Sequence, residues 1–342
     1  MQAADSAMTV TELTAQEFKV ALAGVRPIPV DQSAAWEALD ARLEGRQPWK
    51  RLRVDEDGKP VAFVYLAEYK LRGATYLWAR SGPIYVKEQS PAREEAIRAA
   101  LVAYVRAHHK KAVFLRLHAR YRGPDTLRPL QIITYDRTVK IPLAPRSEEE
   151  ILATMTTDGK RSIRRALKRI DEGGAEFCED TGLSREAFGE YYAVLRETAR
   201  RDGFSPHPES YYWAMLEGMG QDVARLFGVR REGKLLCWDL VLVHDKQAVA
   251  FFGASLTEAR EVLGPDALDW HVARTLAAEG VESFDLMGID SPTTPELYGV
   301  GRYKRKFALA PTDVDAAWDV PVRPVLYRAL AGALRMKRAL RG

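Results

Sequence analysis

At 342 residues the chain is long for a single core and suited to two, since compact domains run to roughly 100–200 residues. Hydrophobic residues at 46%, charged residues at 29% and a net charge of +4 exclude a disordered tail and a membrane-embedded bundle. No apolar run approaches the roughly 20 residues of a bilayer span, and two cysteines, Cys178 and Cys237, exclude a disulfide framework or a Cys-rich metal site. The six histidines show no ligand spacing, so no metal is expected. The start MQAADSAMTVTELTAQEF lacks the basic-then-apolar order of a signal peptide, and a cytoplasmic location is expected.

In chain order, a helix is predicted over 31–43, then three strands over 53–86 with Asp57-Gly58 as the first turn. A helix over 91–109 leads into a strand over 112–118. Prolines flanking a change of pattern in IPLAPRSEEE (141–150) put a boundary there, giving domains over 1–145 and 146–316. The helix over 160–170 carries Lys160, Arg161, Arg164, Arg165 and Lys168 at 3–4 spacing, with Ile163, Leu167 and Ile170 toward a core. Such an ordered cationic stripe suits the phosphates of a tRNA or a UDP-linked ligand, and Arg305 and Lys306 in RYKRK add to it. After a helix over 184–204, the hairpin over 229–256 (turn Glu232-Gly233), the helix over 266–280 and the strand over 283–289 repeat the order of the first half. The chain therefore reads as two copies of one α/β (α+β) unit, each a mixed sheet with flanking helices. Residues 317–342 form an appendage expected to pack back on the first domain. Its terminal helix pairs a Leu326, Leu330, Leu334 stripe and Tyr327 with Arg323, Arg328, Arg335, Lys337, Arg338 and Arg341. Packing on the domain is the favoured role for that stripe, and weak contact of the basic end with anionic lipid at the inner membrane face is the second.

This order, with Gln32-Ser33, Trp36, the basic helix, Glu197-Thr198, Arg201-Asp202-Gly203-Phe204, Phe252-Gly253-Ala254-Ser255, Phe284-Asp285 and Tyr303-Lys304, resembles the FemABX family. The resemblance covers nearly the whole chain. It implies two tandem GNAT-like acyltransferase domains, and the lack of a long heptad segment implies an arm-free member with no coiled coil. It further implies an aminoacyl-tRNA donor, glycine, alanine or serine as the amino acid, and an acceptor amine on the stem peptide of a UDP-linked or lipid-linked muropeptide. A monomer without cofactor is expected. Lys304 matches the catalytic lysine, preceded by Tyr303. Arg201 matches an arginine that binds acceptor phosphates; Tyr211, Trp36, Phe252 and Asp285 complete the expected substrate contacts.

The chemistry agrees with these residue types. An aminoacyl ester is already activated, so its transfer to an amine needs positioning and charge stabilisation rather than ATP or a metal. A lysine near the carbonyl would stabilise the developing oxyanion. A free lysine-like amine has a pKa of about 10.4, so a proton must also leave it; Asp285 is a candidate base, with a turn or capping role equally open. The aromatic clusters Tyr191-Tyr192 and Tyr211-Tyr212-Trp213 suit core packing. Three alternatives remain: an acyl-CoA-dependent N-acyltransferase, a tRNA-dependent enzyme acting on a small molecule or protein, and a non-catalytic nucleic-acid-binding protein. The loops over 81–91 and 253–265 lack the glycine-rich pyrophosphate pattern of the first.

Overall fold

The computed structural model describes residues 7–144 and 146–339, apart from the side chain of Arg338. The first six residues, Pro145, the Arg338 side chain and Arg341, all used in reading the sequence, lie outside the described residues. The chain forms two compact units, one of residues up to Tyr135 with those from Val314 onward, the other Asp136–Asp313.

The first unit contains β1 (Met8–Leu13), α1 (Ala15–Ala21), α2 (Ala34–Arg42), β2 (Arg46–Glu56), β3 (Lys59–Leu71), β4 (Ala74–Trp78), β5 (Ile84–Tyr85), α3 (Pro91–His108) and β6 (Ala112–Ala119). The second contains β7 (Arg137–Pro142), α4 (Glu148–Ala153), α5 (Thr157–Glu172), β8 (Ala175–Glu179), α6 (Arg185–Asp202), α7 (Glu209–Met219), β9 (Ala224–Arg231), β10 (Lys234–His244), β11 (Gln247–Ser255), α8 (Gly264–Ala278), β12 (Ser283–Gly288), α9 (Tyr298–Lys304) and β13 (Thr312–Asp313). The chain then returns to the first unit with β14 (Ala316–Pro321) and α10 (Pro324–Ala339).

The two sheets share one plan. In the first, β1-β2-β3-β4-β6-β14 is antiparallel except for β4 beside β6, and β5 pairs with β3. In the second, β13-β7-β12-β11-β10-β9-β8 is antiparallel except for β11 beside β12. Each parallel pair flanks a helical crossover, α3 or α8, as a right-handed strand-helix-strand unit requires. The turns match as well. Asp57-Gly58 and Glu232-Gly233 both have φ near +50° and +75–79°, the paired left-handed residues that suit a tight hairpin to twisted strands.

The second sheet begins earlier than the sequence pattern suggested. β7 hydrogen-bonds along β12, so the division falls at Tyr135/Asp136 and not at 145/146. Pro142 is the last residue of this strand, a place where a missing N–H costs the ladder least. Within each unit the crossover helix covers the sheet with an i, i+4 series: Ile97, Leu101 and Val105 in α3, and Leu268, Val272 and Leu276 in α8, all buried. No helix among the described residues exceeds the 18 residues of α3 and α6, which leaves no coiled-coil arm. None is long and apolar enough to cross a membrane.

In α10, Tyr327 and Leu334 are buried whereas Leu326 is 52% exposed. The buried stripe thus starts one residue after the Leu326 expected from four-residue spacing, because Tyr327 reaches into the unit and donates to Asp319 (3.2 Å). Asp319 on β14 also accepts from the Arg116 guanidinium of β6 (2.6 and 3.1 Å) and from the Leu130 amide (2.9 Å). Both side chains of this ion pair are almost fully buried. Removing one partner of a buried pair strands the other charge, at about 3–5 kcal/mol. Asp319→Ala is therefore expected to lower the urea unfolding free energy of the first unit by about that amount; a loss below about 1 kcal/mol would show that β14 is held by its ladder alone.

Candidate active site

The parallel ladder between β11 and β12 is short. Only Gln247–Val249 pair with Ser283–Asp285; beyond them the strands part, although β11 runs on to Ser255 and β12 to Gly288. A register shift at Leu240/Val241 against β11 leaves Phe251 as an extra residue where the strands diverge, and such a bulge bends its strand. A cavity of about 670 Å³ occupies the opening, lined by Ala250–Ser255 on one side and Leu286 and Met287 on the other. Asp239 of β10, Arg201 of α6, Asp269 of α8, and Tyr303 and Lys304 of α9 complete its polar lining.

Lys304 bridges the backbone left unpaired by the split. Its Nζ donates to the carbonyls of Met287 (3.3 Å) and Gly288 (3.2 Å), and no carboxylate among the described residues lies within ion-pair distance. Burial pushes its pKa below the ordinary lysine range, opposed by the charges of Asp269, Asp285 and Asp239. Met287 is in the left-handed region (φ 66°), which costs energy for a side chain of its size. Asp285 compensates by accepting from the Met287 amide (2.7 Å) and from Thr138. Asp285 thus holds this turn and is absent from the cavity lining.

Tyr303 donates to Asp269 Oδ2 (2.6 Å), and Lys306 lies over the Tyr303 ring (4.1 Å). Asp269 is desolvated, and burial pushes its pKa up to about 6 against the pull of Tyr303, Lys306 and Lys304. The loop bearing these groups is tied to α5. Thr156 caps that helix by accepting from Gly159 N (3.0 Å) and donates through its hydroxyl to Lys306 O (3.0 Å). Gly159 must lack a side chain, because a Cβ there would overlap the same carbonyl.

A second hollow, about 440 Å³, is lined by Arg165 and Arg169 of α5 with Arg260, Glu261 and Leu263. Glu261 pairs with Arg231 (3.0 Å), while the three arginine side chains make no hydrogen bond or ion pair among the described residues. Arg260 lines this hollow and the split-strand cavity alike.

A family model described as an acetyltransferase (GNAT) domain matches residues 157–305, the segment carrying this geometry. The UDP-N-acetylmuramoylpentapeptide-lysine N(6)-alanyltransferase of Weissella viridescens is 23% identical over 317 residues, 86% of this chain and 88% of that protein. The crystal structure of FemX superposes with a TM-score of 0.72 at 17% identity, covering 94% of this chain and 99% of that one. Over nearly its whole length the chain is thus similar to this alanyltransferase in sequence and to FemX in fold. The tandem plan is shared more widely: L-PGS from Bacillus licheniformis has a TM-score of 0.55 at 12% identity over 95% of this chain and 97% of its own.

Of the residues singled out in the sequence on this FemABX resemblance, Lys304, Tyr303, Arg201 and Phe252 line the same cavity. Arg201 is already engaged, forked onto Asp202 (2.8 and 2.9 Å) and donating to Ser255 O (2.6 Å). Tyr211 stacks on His207 (4.1 Å) and meets Phe252 edge-on (6.2 Å) but is not itself among the cavity-lining residues. Trp36 belongs to the first unit and is 1% exposed beneath Arg80, so it packs that unit and offers a substrate no surface. Arg305 pairs with Asp290 (2.9 Å) and Lys306 with Asp266, so each already has a carboxylate partner within the fold. Arg161, Arg164 and Arg165 are exposed along α5 and Lys160 is half-buried, with Arg161 near Asp158 (3.7 Å). Sequence reasoning missed Asp239, Asp269, Arg169 and Arg260. Two signals were present: Asp239 is the lone charge in the apolar run LLCWDLVLV, and Asp266 and Asp269 fall on the buried face of α8.

Because the folded Asp269 carboxyl binds its proton more tightly than an unfolded one, the native state holds the extra proton between pH about 4 and 6. Its contribution to stability therefore falls as pH rises through that window and is constant above it. Asp269→Asn, which still accepts from Tyr303, should gain stability relative to wild type from pH 4 to 6.5 in urea titrations. A difference that stays flat with pH would contradict the raised pKa.

Proposed function

We propose that the chain transfers an aminoacyl group from aminoacyl-tRNA to the stem-peptide amine of a UDP-linked or lipid-linked muropeptide. The observation that carries this reading is the Lys304 ammonium, held in the split between β11 and β12 by two carbonyls, with no counter-ion among the described residues. Carbonyl dipoles orient the charge without neutralising it, so it is available to an oxyanion formed in the cavity. An aminoacyl ester supplies such a carbonyl already activated. The C–O bond to the ribose breaks as the C–N bond forms, and no further cofactor is required.

The identity of the donor is supported by Arg165, Arg169 and Arg260, three cations without a carboxylate partner among the described residues, in a hollow that adjoins the cavity through Arg260. A phosphodiester strand laid there would meet the cavity that holds Lys304 at Arg260. The acceptor reading draws on the Weissella relative, whose name describes alanyl transfer to a lysine of a UDP-N-acetylmuramoyl pentapeptide. An anionic lipid surface also suits α10, where exposed Val325, Leu326 and Met336 stand among Arg328, Arg335 and Lys337.

Lys304→Ala is expected to lower kcat by about 100- to 1000-fold with little change in acceptor Kd, since the ammonium matters chiefly in the transition state. The check is mass spectrometry of muropeptides incubated with charged tRNAs; a kcat within a factor of about three of wild type would defeat the assignment. Replacing Arg165, Arg169 and Arg260 together by alanine should weaken binding of a 3′-CCA stem-loop RNA. The slope of log K against log salt should flatten by about 0.7 for each single-strand phosphate that the variant no longer neutralises. An unchanged slope would remove the hollow from the RNA path, and binding of coenzyme A in its place would favour acyl-CoA chemistry.

A further inference from the structure

The opening between β11 and β12 holds a carboxylate that no group among the described residues bonds. β10 is buried on both faces, with Leu236, Trp238, Leu240 and Val241 all at 0% exposure, and Asp239 is its one carboxylate. Asp239 pairs in register with Gly253 of β11, and its Oδ1 fills the space that a Cβ at Gly253 would need. Glycine at that position lets the carboxylate lie across β11 and line the cavity.

The neighbouring carboxylates are all satisfied. Asp269 accepts from Tyr303, Asp266 is held by Ser162 and Lys306, and Asp285 by Thr138 and the Met287 amide. Asp239 alone of these four has no hydrogen bond or ion pair among the described residues. Asp239 is half-buried at the cavity wall, where a cationic or proton-donating ligand would supply the partner that the described residues do not.

We propose that Asp239 is the catalytic residue that takes the proton from the attacking amine. This rests on the aminoacyl-transfer reading. The acceptor enters as R–NH3+ and gives one N–H proton to the Asp239 carboxylate. The freed nitrogen lone pair then forms the C–N bond to the ester carbonyl, and the carbonyl electron pair moves onto the oxygen beside Lys304. On collapse the C–O bond to the ribose breaks, the ribose oxygen takes a second proton from the nitrogen, and Asp239 later yields its own to water. The products are an amide, a free tRNA hydroxyl and one released proton.

The surroundings suit a base working near neutral pH. Burial and the Asp269 charge push the Asp239 carboxyl well above the usual carboxylate range, and Lys304 opposes them. The other groups facing it from adjacent elements are accounted for. Cys237, two residues back on β10, is buried with its thiol pushed up; Tyr303 of α9 is bonded to Asp269; Arg201 and Asp202 of α6 hold each other; and Arg260 stands at the outer rim of the lining.

Asp239→Asn preserves shape and cannot accept the proton. Its kcat at pH 7 should fall by about 100-fold or more. The acidic limb that levels off at the Asp239 pKa should be replaced by a low residual rate that climbs tenfold per pH unit, without levelling off, up to the amine's own pKa of about 10.4. Acetate added to Asp239→Ala should restore part of the rate, which a purely structural role would not permit; unfolding midpoints confirm that both variants are folded. A folded Asp239→Asn enzyme with wild-type kcat, or with kcat lowered equally at every pH and the acidic limb intact, overturns the assignment. Wild-type protein that transfers nothing from a full set of charged tRNAs overturns the transfer reading and this one with it, a result distinct from failure of Asp239 alone.

Discussion

The separation of β11 from β12 after three residue pairs is the constraint on which the site depends. A parallel ladder that ends inside a sheet leaves backbone carbonyls without donors, and buried carbonyls are almost always answered. Lys304 answers two of them. Its ammonium is thereby fixed to the frame of β12, whose end is set by the left-handed Met287 and the Asp285 carboxylate beneath it. Backbone strain at Met287, a turn carboxylate and the Lys304 charge thus form one chain of dependence.

The choice of carbonyls over a carboxylate as partners for Lys304 has electrostatic consequences. An ion pair would have repaid more of the cost of burial, but it would also have neutralised the charge. With dipoles as first partners and carboxylates only at longer range, the ammonium stays in place without an adjacent negative charge that an incoming oxyanion would have to displace. Its depressed pKa is the cost of that arrangement. The same reasoning separates the lysines of one short segment: Lys306 lies against Asp266 and the Tyr303 ring and serves packing, while Lys304, two residues earlier, faces the cavity.

The duplicated plan was legible in the sequence because it rests on local signals: hairpin turns at Asp57-Gly58 and Glu232-Gly233, strand runs, and helices with a clear apolar face. Lys304 and Tyr303 were legible through family resemblance alone, since RYKRK by composition is an ordinary basic loop. What escaped was whatever depends on partners far apart in the chain. Arg305 and Lys306 look as free as Arg165 in one dimension, and only the fold brings Asp290 and Asp266 to them. Asp285 in the sequence carries no sign of its bond to Thr138, 147 residues away. Trp36 reads as a ligand contact until its burial is known. Asp239 was visible as a charge in an apolar strand, yet its meaning needed the glycine opposite.

The first unit shows what the same plan becomes when the opening is closed. There the contact between the β4 side and β6 continues past the end of β4, from the Ala79 amide to Arg116 O (2.8 Å) and from the His118 amide to Gly82 O (2.8 Å). The Gln32 side chain completes the closure by accepting from Tyr65 N (2.7 Å) and donating to Arg80 O (2.7 Å), as a strand residue would. Gly82 is required because a Cβ would strike that amide. Gln32-Ser33, part of the motif by which the family resemblance begins, is therefore a structural plug and a helix cap, with Ser33 accepting from Trp36 N (3.3 Å). At the matching place in the second unit, the strands are left apart and a lysine is set against the exposed carbonyls. In one copy a neutral amide satisfies backbone groups and shuts the sheet; in the other a cation does so and leaves room for a substrate.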